Sequence, residues 1–191
     1  MNARPAIVVT GAAGFIGRRV VARLAQAGCT VLAVDRVPAP ADFPATVECR
    51  GVDLAHAAGE LPPADALVHL AWNMNRADEA GQTQAVADFR RLLESGAWRA
   101  VVGLGSAEEY GELEGRLRED LAPGARLSAY GQAKHAAGQA LEAWARGAGR
   151  KAVWLRPFVV YGPGQGGTMA IPSALRCARE RTPGDFSEGL Q

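Results

Sequence analysis

The stretch Thr10-Gly11-Ala12-Ala13-Gly14-Phe15-Ile16-Gly17 limits this chain to few folds. An apolar run, Ala6-Ile7-Val8-Val9, leads into it, and an apolar-periodic stretch from Val20 through Ala27 follows. A buried strand, a glycine-rich turn and a helix in that order cradle a dinucleotide pyrophosphate. Gly11 allows the tight turn, Gly14 lets the backbone approach the phosphates, and Gly17 lets the helix pack closely on the strand. Free N–H groups and the helix dipole then hold the anion. An ordinary glycine-rich strand-to-helix loop is the plain alternative. The flanking strand and helix, with an acid at the end of the next strand, set this stretch apart.

Helix one should run from about Gly14 to Gln26, with Gly28 just past its end, where a left-handed backbone is cheap for glycine. Thr30-Val31-Leu32-Ala33-Val34 is the second strand and ends on Asp35. That offset places its carboxylate on the adenosine ribose hydroxyls, where it would repel a 2′-phosphate and favour NAD. Arg36, next along, is placed to hold the phosphate of NADP, so NADP stays open as the alternative. Asp35 as a simple cap is the bland option. Pro38-Ala39-Pro40 makes a loop to Pro44. Thr46 to Val52 reads as a short third strand closing on Asp53-Leu54, where Asp53 either meets the adenine edge or caps a short helix.

Ala66-Leu67-Val68-His69-Leu70-Ala71 is continuous enough for a strand buried on both faces, which makes His69 a core residue before it is a metal ligand. Trp72 to Arg76 is then a loop at that strand's carboxyl end. Asp78 to Ser95 reads as a helix with Ala85, Val86, Phe89, Leu92 and Leu93 on its apolar face. Ala100 to Leu104 is the fifth strand, Glu112 to Arg126 a mobile surface loop, Ser128 to Arg146 a helix and Ala152 to Leu155 the sixth strand. A glycine-rich loop, Tyr161 to Gly167, and a helix from Ile171 to Arg181 follow. Alternating strands and helices call for an α/β fold, a Rossmann-type doubly wound parallel sheet.

Composition narrows the function. With 191 residues, 48% hydrophobic and 21% charged, the chain can build a sizeable core. A formal net charge of +1 gives no electrostatic case for nucleic acid or an anionic membrane surface. No apolar run approaches a bilayer span, and the N-terminus has no signal-peptide core. Cys29, Cys49 and Cys177 suit neither a disulfide framework nor a metal site, so a reduced cytoplasmic setting and no metal are expected.

Tyr130 and Lys134 stand four apart in a helix and share a face. A phenol titrates near about 10, so it needs adjacent positive charge to act as a base at neutral pH. Lys134 and a cationic nicotinamide would supply that charge, and Ser106, after a central strand, would hydrogen-bond the reacting oxygen. A tyrosine packed on the sheet and a solvated lysine are the bland alternative. Against it, the chain has only two lysines to nineteen arginines.

These motifs together resemble the extended short-chain dehydrogenases/reductases, the NAD-dependent epimerase/dehydratase family that modifies nucleotide sugars. The resemblance rests on the glycine stretch, Asp35, Asp53-Leu54, His69-Leu70-Ala71, Gly105-Ser106 through Tyr110-Gly111, Tyr130-Gly131-Gln132-Ala133-Lys134, and Leu155-Arg156-Pro157 through Tyr161-Gly162-Pro163. It implies Tyr130 as acid or base, Lys134 on the nicotinamide ribose and lowering the Tyr130 pKa, and Ser106 at the substrate oxygen. Gly11, Gly14, Phe15, Ile16 and Gly17 would hold the pyrophosphate, Asp35 or Arg36 the ribose end, and Asp53 with Leu54 the adenine. Leu70, Ala71 and Trp72 would line the cofactor cleft, the backbone near Pro157 would meet the carboxamide, and Arg156 with the Tyr161–Gly167 loop would flank a nucleotide-sugar substrate.

Three departures from the family pattern stand out. The dehydratase Asp-Glu pair reads Ala107-Glu108, which disfavours water loss. The asparagine ahead of the Leu-Leu pair is Ala85. The family also carries a smaller substrate domain of roughly a hundred further residues. Residues 1–168 are thus expected to be the NAD(P)-binding Rossmann domain and 169–191 the start of a substrate domain that is largely missing, with Asp185–Gln191 reading as a cut. Uncovered apolar surface would then favour self-association, a homo-oligomer. The readings that follow are a nucleotide-sugar epimerase or ketoreductase, a non-catalytic dinucleotide-binding module, and an NADP-linked reductase of other carbonyls.

Overall fold

The computed structural model describes residues 4–57, 61–147, 149–167 and 169–184. The apolar runs form strands β1 (Ala6–Thr10), β2 (Thr30–Asp35), β3 (Glu48–Gly51), β4 (Ala66–His69), β5 (Ala100–Leu104) and β6 (Lys151–Leu155). Between them lie helices α1 (Phe15–Gln26), α2 (Leu54–Ala57), α3 (Glu79–Ser95) and α4 (Ala129–Ala145), and α5 (Ala170–Glu180) comes last. The strands pair in parallel in the order β3-β2-β1-β4-β5-β6. This is the doubly wound Rossmann-type sheet. Strand order reverses between β1 and β4, where Thr10 registers with His69, the switch point at which such sheets take their ligands.

Strand periodicity divides the core. Val8, Leu32, Val34, Leu67 and Val101 face one side and pack with Phe89, Leu92 and Leu93 of α3 and Ala137, Leu141 and Trp144 of α4. Val9, Val31 and Ala33 face the other, with Val21 of α1. Neighbouring residues on one strand serve opposite layers, so the strands read as continuous apolar runs. β3 is shorter than the sequence suggested. Val47 still packs in the core, whereas Glu48 through Gly51 are exposed along the sheet edge.

The helix ends follow side-chain chemistry. Asp78 caps α3 by accepting the Gly81 N–H, and Ser128 caps α4 by accepting the Gly131 N–H. Gly28 has φ +82°, the left-handed conformation expected beyond α1. Residues 112–126 form no helix or strand, but Gly124 N–H bonds the Tyr110 carbonyl at 3.0 Å, which ties this loop back to the core.

Two compact units are distinguished, one through Phe158 and one from Val159 onward. The sequence-based boundary at 168 differs from this division, which groups Tyr161–Gly167 with α5. In the second unit α5 ends on Arg181 in a left-handed conformation, with Thr182 N–H returning to the Cys177 carbonyl at 3.0 Å. The run Asp185–Gln191 lies outside the described residues.

Candidate active site

The glycine turn is built as a close-approach device. Gly11 adopts φ +67°, and a Cβ there would sit 2.5 Å from the Ala71 nitrogen. A Cβ on Gly17 would sit 2.0 Å from the Gly11 oxygen, so α1 begins hard against the turn. Gly14 is the N-cap of α1 and offers no side-chain oxygen to the helix's first N–H groups. Those donors are left without a side-chain cap, the arrangement that lets a helix start receive an anion. Phe15 and Ile16 open the helix half-buried.

Asp35 closes the turn from the β2 side. One carboxylate oxygen accepts the Ala13 N–H at 3.0 Å and the other the Val37 N–H at 3.3 Å. Arg36 is exposed beside it. A cleft of about 480 Å³ on this side is lined by Ala13, Arg18, Val37, Pro38, Pro40, Ala41 and Asp42, and Arg18 pairs with Asp42 at 2.7 Å across it. Asp53 takes the capping option, accepting the Ala55 N–H at 3.1 Å, while Leu54 packs against the core.

At the β4 end, His69 is a core residue, as its apolar strand implied. It is 4% exposed, stacks on Phe89 at 4.5 Å, and its Nδ1 meets the Thr10 hydroxyl at 2.8 Å. Burial, aided by the Lys134 charge, pushes its pKa down to about 3, so the ring is neutral. Leu70 and Ala71 continue from it, half-buried against the glycine turn.

Ser106, Tyr130 and Lys134 come from two elements that are forced together. A Cβ on Gly131 would lie 2.6 Å from the Glu108 carbonyl oxygen, so α4 presses its first turn onto the 3-10 turn Ala107–Tyr110. This brings the Ser106 hydroxyl up beside the Tyr130 phenol. Lys134, 3% exposed, donates from Nζ to the Leu104 carbonyl at 2.7 Å. Burial lowers its pKa to about 7, with the Glu109 carboxylate opposing. The indole of Trp72 covers this ammonium.

Two expectations change here. The Tyr130 phenol is raised, not lowered: burial dominates, and the cation that opposes it is Arg76. Arg156 does not stand free for a substrate. Its Nε donates to Glu109 at 3.0 Å and one terminal nitrogen donates to the Glu119 carbonyl at 3.0 Å. The Pro157 carbonyl accepts the Ala107 N–H at 3.0 Å, which fixes the chain beside the 3-10 turn.

Three residues escaped the sequence reading. Gln82, 1% exposed, accepts the Trp72 indole N–H at 2.8 Å and donates to the Asn73 and Asn75 carbonyls at 3.0 and 2.9 Å. It supplies a buried amide near Ala85, and its signal was a polar residue on an otherwise apolar helix stripe. Glu109 has a carboxylate that accepts from the Ser106 N–H at 2.8 Å and the Trp154 indole at 3.0 Å as well as from Arg156. Its signal was the Ser-x-x-Glu spacing of a capping box, which Ser106 and Glu109 complete. Arg76 carried no signal; its position depends on a loop path.

The chain matches known proteins over nearly its whole length. The family model described as NAD dependent epimerase/dehydratase family matches residues 7–188. The chain is similar to MoeE5 in complex with UDP-glucuronic acid and NAD, at 31% identity and TM-score 0.83, covering 97% of this chain and 65% of that one. It is also similar to the UDP-glucuronic acid 4-epimerase from Bacillus cereus in complex with NAD, at 25% identity and TM-score 0.79, covering 93% and 64%. A UDP-galactose 4-epimerase matches at 26% identity and TM-score 0.78, covering 92% and 63%. The chain thus spans about 65% of the length of MoeE5. Nearly the whole chain fits this one family model, and the chain belongs to the NAD dependent epimerase/dehydratase family.

Proposed function

We propose that this chain carries the cofactor-binding and acid–base machinery of an NAD-dependent nucleotide-sugar epimerase or ketoreductase. The observation that carries the reading is the packing of α4 onto the 3-10 turn, which sets the Tyr130 phenol beside Ser106, with Lys134 on the Leu104 carbonyl at the end of β5. The residues suit a dinucleotide: a Cβ would fill the cradle at Gly11 and Gly17, and the start of α1 is left uncapped by any side chain. Gly11 through Gly17 would hold the pyrophosphate and Asp35 the ribose diol. Leu70, Ala71 and Trp72 would line the cleft, and Lys134 would hold the nicotinamide ribose. Bound NAD supplies reversible hydride transfer at a sugar carbon.

Tyr130 removes the proton from the sugar hydroxyl as that carbon is oxidised and returns it on reduction. Ser106 orients the same oxygen. Tyr130 is only 6% exposed, so water competes poorly for the proton. With Ala107 where a dehydratase would carry an aspartate, epimerisation or reduction is the preferred chemistry over water loss. The preferred cofactor is NAD, because Asp35 stands at the ribose end.

The substrate class is a nucleotide-linked sugar, with UDP-linked sugars the first to try. Calorimetric titration with NAD and NADP comes first, with submillimolar binding and a preference for NAD expected. Hydride-transfer assays on UDP-sugars follow, and Tyr130→Phe should abolish turnover while leaving NAD affinity within about twofold. Turnover that survives Tyr130→Phe would count against the mechanism. Self-association also belongs to this reading: β6 is the outer strand of the sheet, with Val153 and Leu155 about half exposed. Light scattering reads it directly.

A further inference from the structure

The loop after β4 turns Arg76 back over the site. Asn73 and Asp78 brace that loop through a hydrogen bond of 2.9 Å, and Gln82 holds its carbonyls from below. The Arg76 guanidinium carbon lies 4.8 Å from the centroid of the Tyr130 ring. The same guanidinium pairs with one oxygen of Glu108. The other oxygen of Glu108 accepts the Ser128 hydroxyl at 2.7 Å, and Ser128 caps the helix that carries Tyr130. An unbroken set of polar contacts therefore joins the β4 loop to the first turn of α4.

Lys134 is turned elsewhere. Its Nζ lies 5.7 Å from the Tyr130 ring centroid, but 3.7 Å from the Trp72 centroid and 2.7 Å from the Leu104 carbonyl oxygen. We propose that Arg76 is a positioning residue for Tyr130, a second cation laid on the ring and anchored there by Glu108, which favours the phenolate alongside Lys134. The proposal rests on the reading of Tyr130 as the acid–base group.

The charged groups around the phenol make the proposal testable by sign. Arg76 faces it from the β4 loop, Glu108 and Glu109 from the 3-10 turn, and Lys134 from its own helix, with the Ser106 hydroxyl as a neutral partner. Arg76 favours the phenolate, and the two glutamates oppose it. Deleting either member of the Arg76–Glu108 pair breaks the same contact, yet the two deletions push Tyr130 in opposite directions. A bridge that served only as a brace would make them alike.

The experiment is carbon-13 NMR of tyrosine Cζ across a pH titration of the full cofactor-free chain, with Tyr130→Phe assigning the Tyr130 signal. Arg76→Met should raise the Tyr130 midpoint by about 0.5–1 pH unit, Glu108→Gln should lower it by a similar amount, and Arg76→Lys should restore most of the wild-type value. Midpoints that move in the same direction, or not at all, overturn the proposal. Should Arg76→Met not fold, Arg76→Gln, which also removes the charge, takes its place with the same upward shift expected. Activity that persists in Tyr130→Phe overturns the underlying acid–base reading, and the NMR midpoints report on Arg76 independently of it.

Discussion

The Lys134 ammonium sits 3.7 Å from the centroid of the Trp72 indole, roofed by an aromatic face and tied to the Leu104 carbonyl at 2.7 Å. A charge in that position costs stability, because burial removes more hydration than one carbonyl and one π face return. Under the proposed function that cost has a use: a lysine that titrates near neutrality serves the acid–base tyrosine beside it.

Lys134→Met should therefore stabilise the fold while abolishing hydride transfer. The folded pKa is about 7 against an ordinary value of 10.5, so the unfolded chain binds more protons between those limits. Wild-type stability from this group thus rises with pH across that window, and the advantage of the variant shrinks over it. Below pH 7 the gain should be about 1–4 kcal/mol, fading to little by pH 10.5. Urea unfolding at pH 6 and pH 9.5 measures it. A variant less stable than wild type at pH 6 would show that the Trp72 and Leu104 contacts outweigh the burial cost.

His69 titrates in a separate window with the same sign. Its pKa falls from 6.5 to about 3 in the folded chain, because the ring is buried against Phe89 and the Lys134 charge opposes a second cation. The native state resists protonation that the unfolded chain accepts, so stability is full above pH 6.5 and drains away as pH falls toward 3. The loss is on the order of a few kcal/mol. His69→Gln keeps a neutral polar partner for Thr10 and should flatten the acid limb of the stability profile. An unchanged slope between pH 6.5 and 4 would assign acid unfolding to other groups.

The glycines of the turn differ in what they can accept. A methyl group on Gly17 meets the Gly11 carbonyl oxygen at 2.0 Å, backbone against backbone, with no flexible side chain to yield. Gly17→Ala should cost about 1–3 kcal/mol and at least tenfold in NAD affinity, because the turn must shift to admit it. Gly28 has φ +82° and no neighbour within 4 Å of an added Cβ. Gly28→Ala should cost about 1–2 kcal/mol through its backbone alone and leave NAD affinity unchanged. Calorimetric titration of both variants separates the cradle from the cap.

The sheet was legible because its strands are buried on both faces and announce themselves as apolar runs. The parallel pairing of its strands follows from the alternating strand–helix order, and Tyr130 and Lys134 on one helix face from helical spacing. What stayed hidden depends on contacts between distant segments. Glu109 and Arg156 meet across 47 residues, and Arg76 and Glu108 across 32. A periodicity argument treats such charges as solvated surface. The raised phenol of Tyr130 was hidden as well, since helical spacing reports that Lys134 shares a face and not how deeply the phenol is buried.

Glu109 and Arg156 form the buried pair that fixes Ser106. The carboxylate is 1% exposed and the guanidinium side chain 19%, and the same carboxylate receives the Ser106 N–H and the Trp154 indole. Trp154 lies in a groove that requires glycine: a Cβ on Gly103, Gly105 or Gly138 would come within 2.4, 2.6 or 2.8 Å of its indole. Removing only the carboxylate strands Arg156 and two N–H donors, so Glu109→Leu should cost about 3–5 kcal/mol. Removing both charges spares the guanidinium penalty, and Glu109→Leu with Arg156→Met should recover at least about half of that loss. Stability recovered in this way should not restore activity, because the Ser106 N–H still lacks its acceptor and the serine loses its setting. A double-mutant cycle in urea, run beside the hydride-transfer assay, separates the two effects. If the double variant regained turnover along with stability, Glu109 would be a structural anchor with no part in placing Ser106.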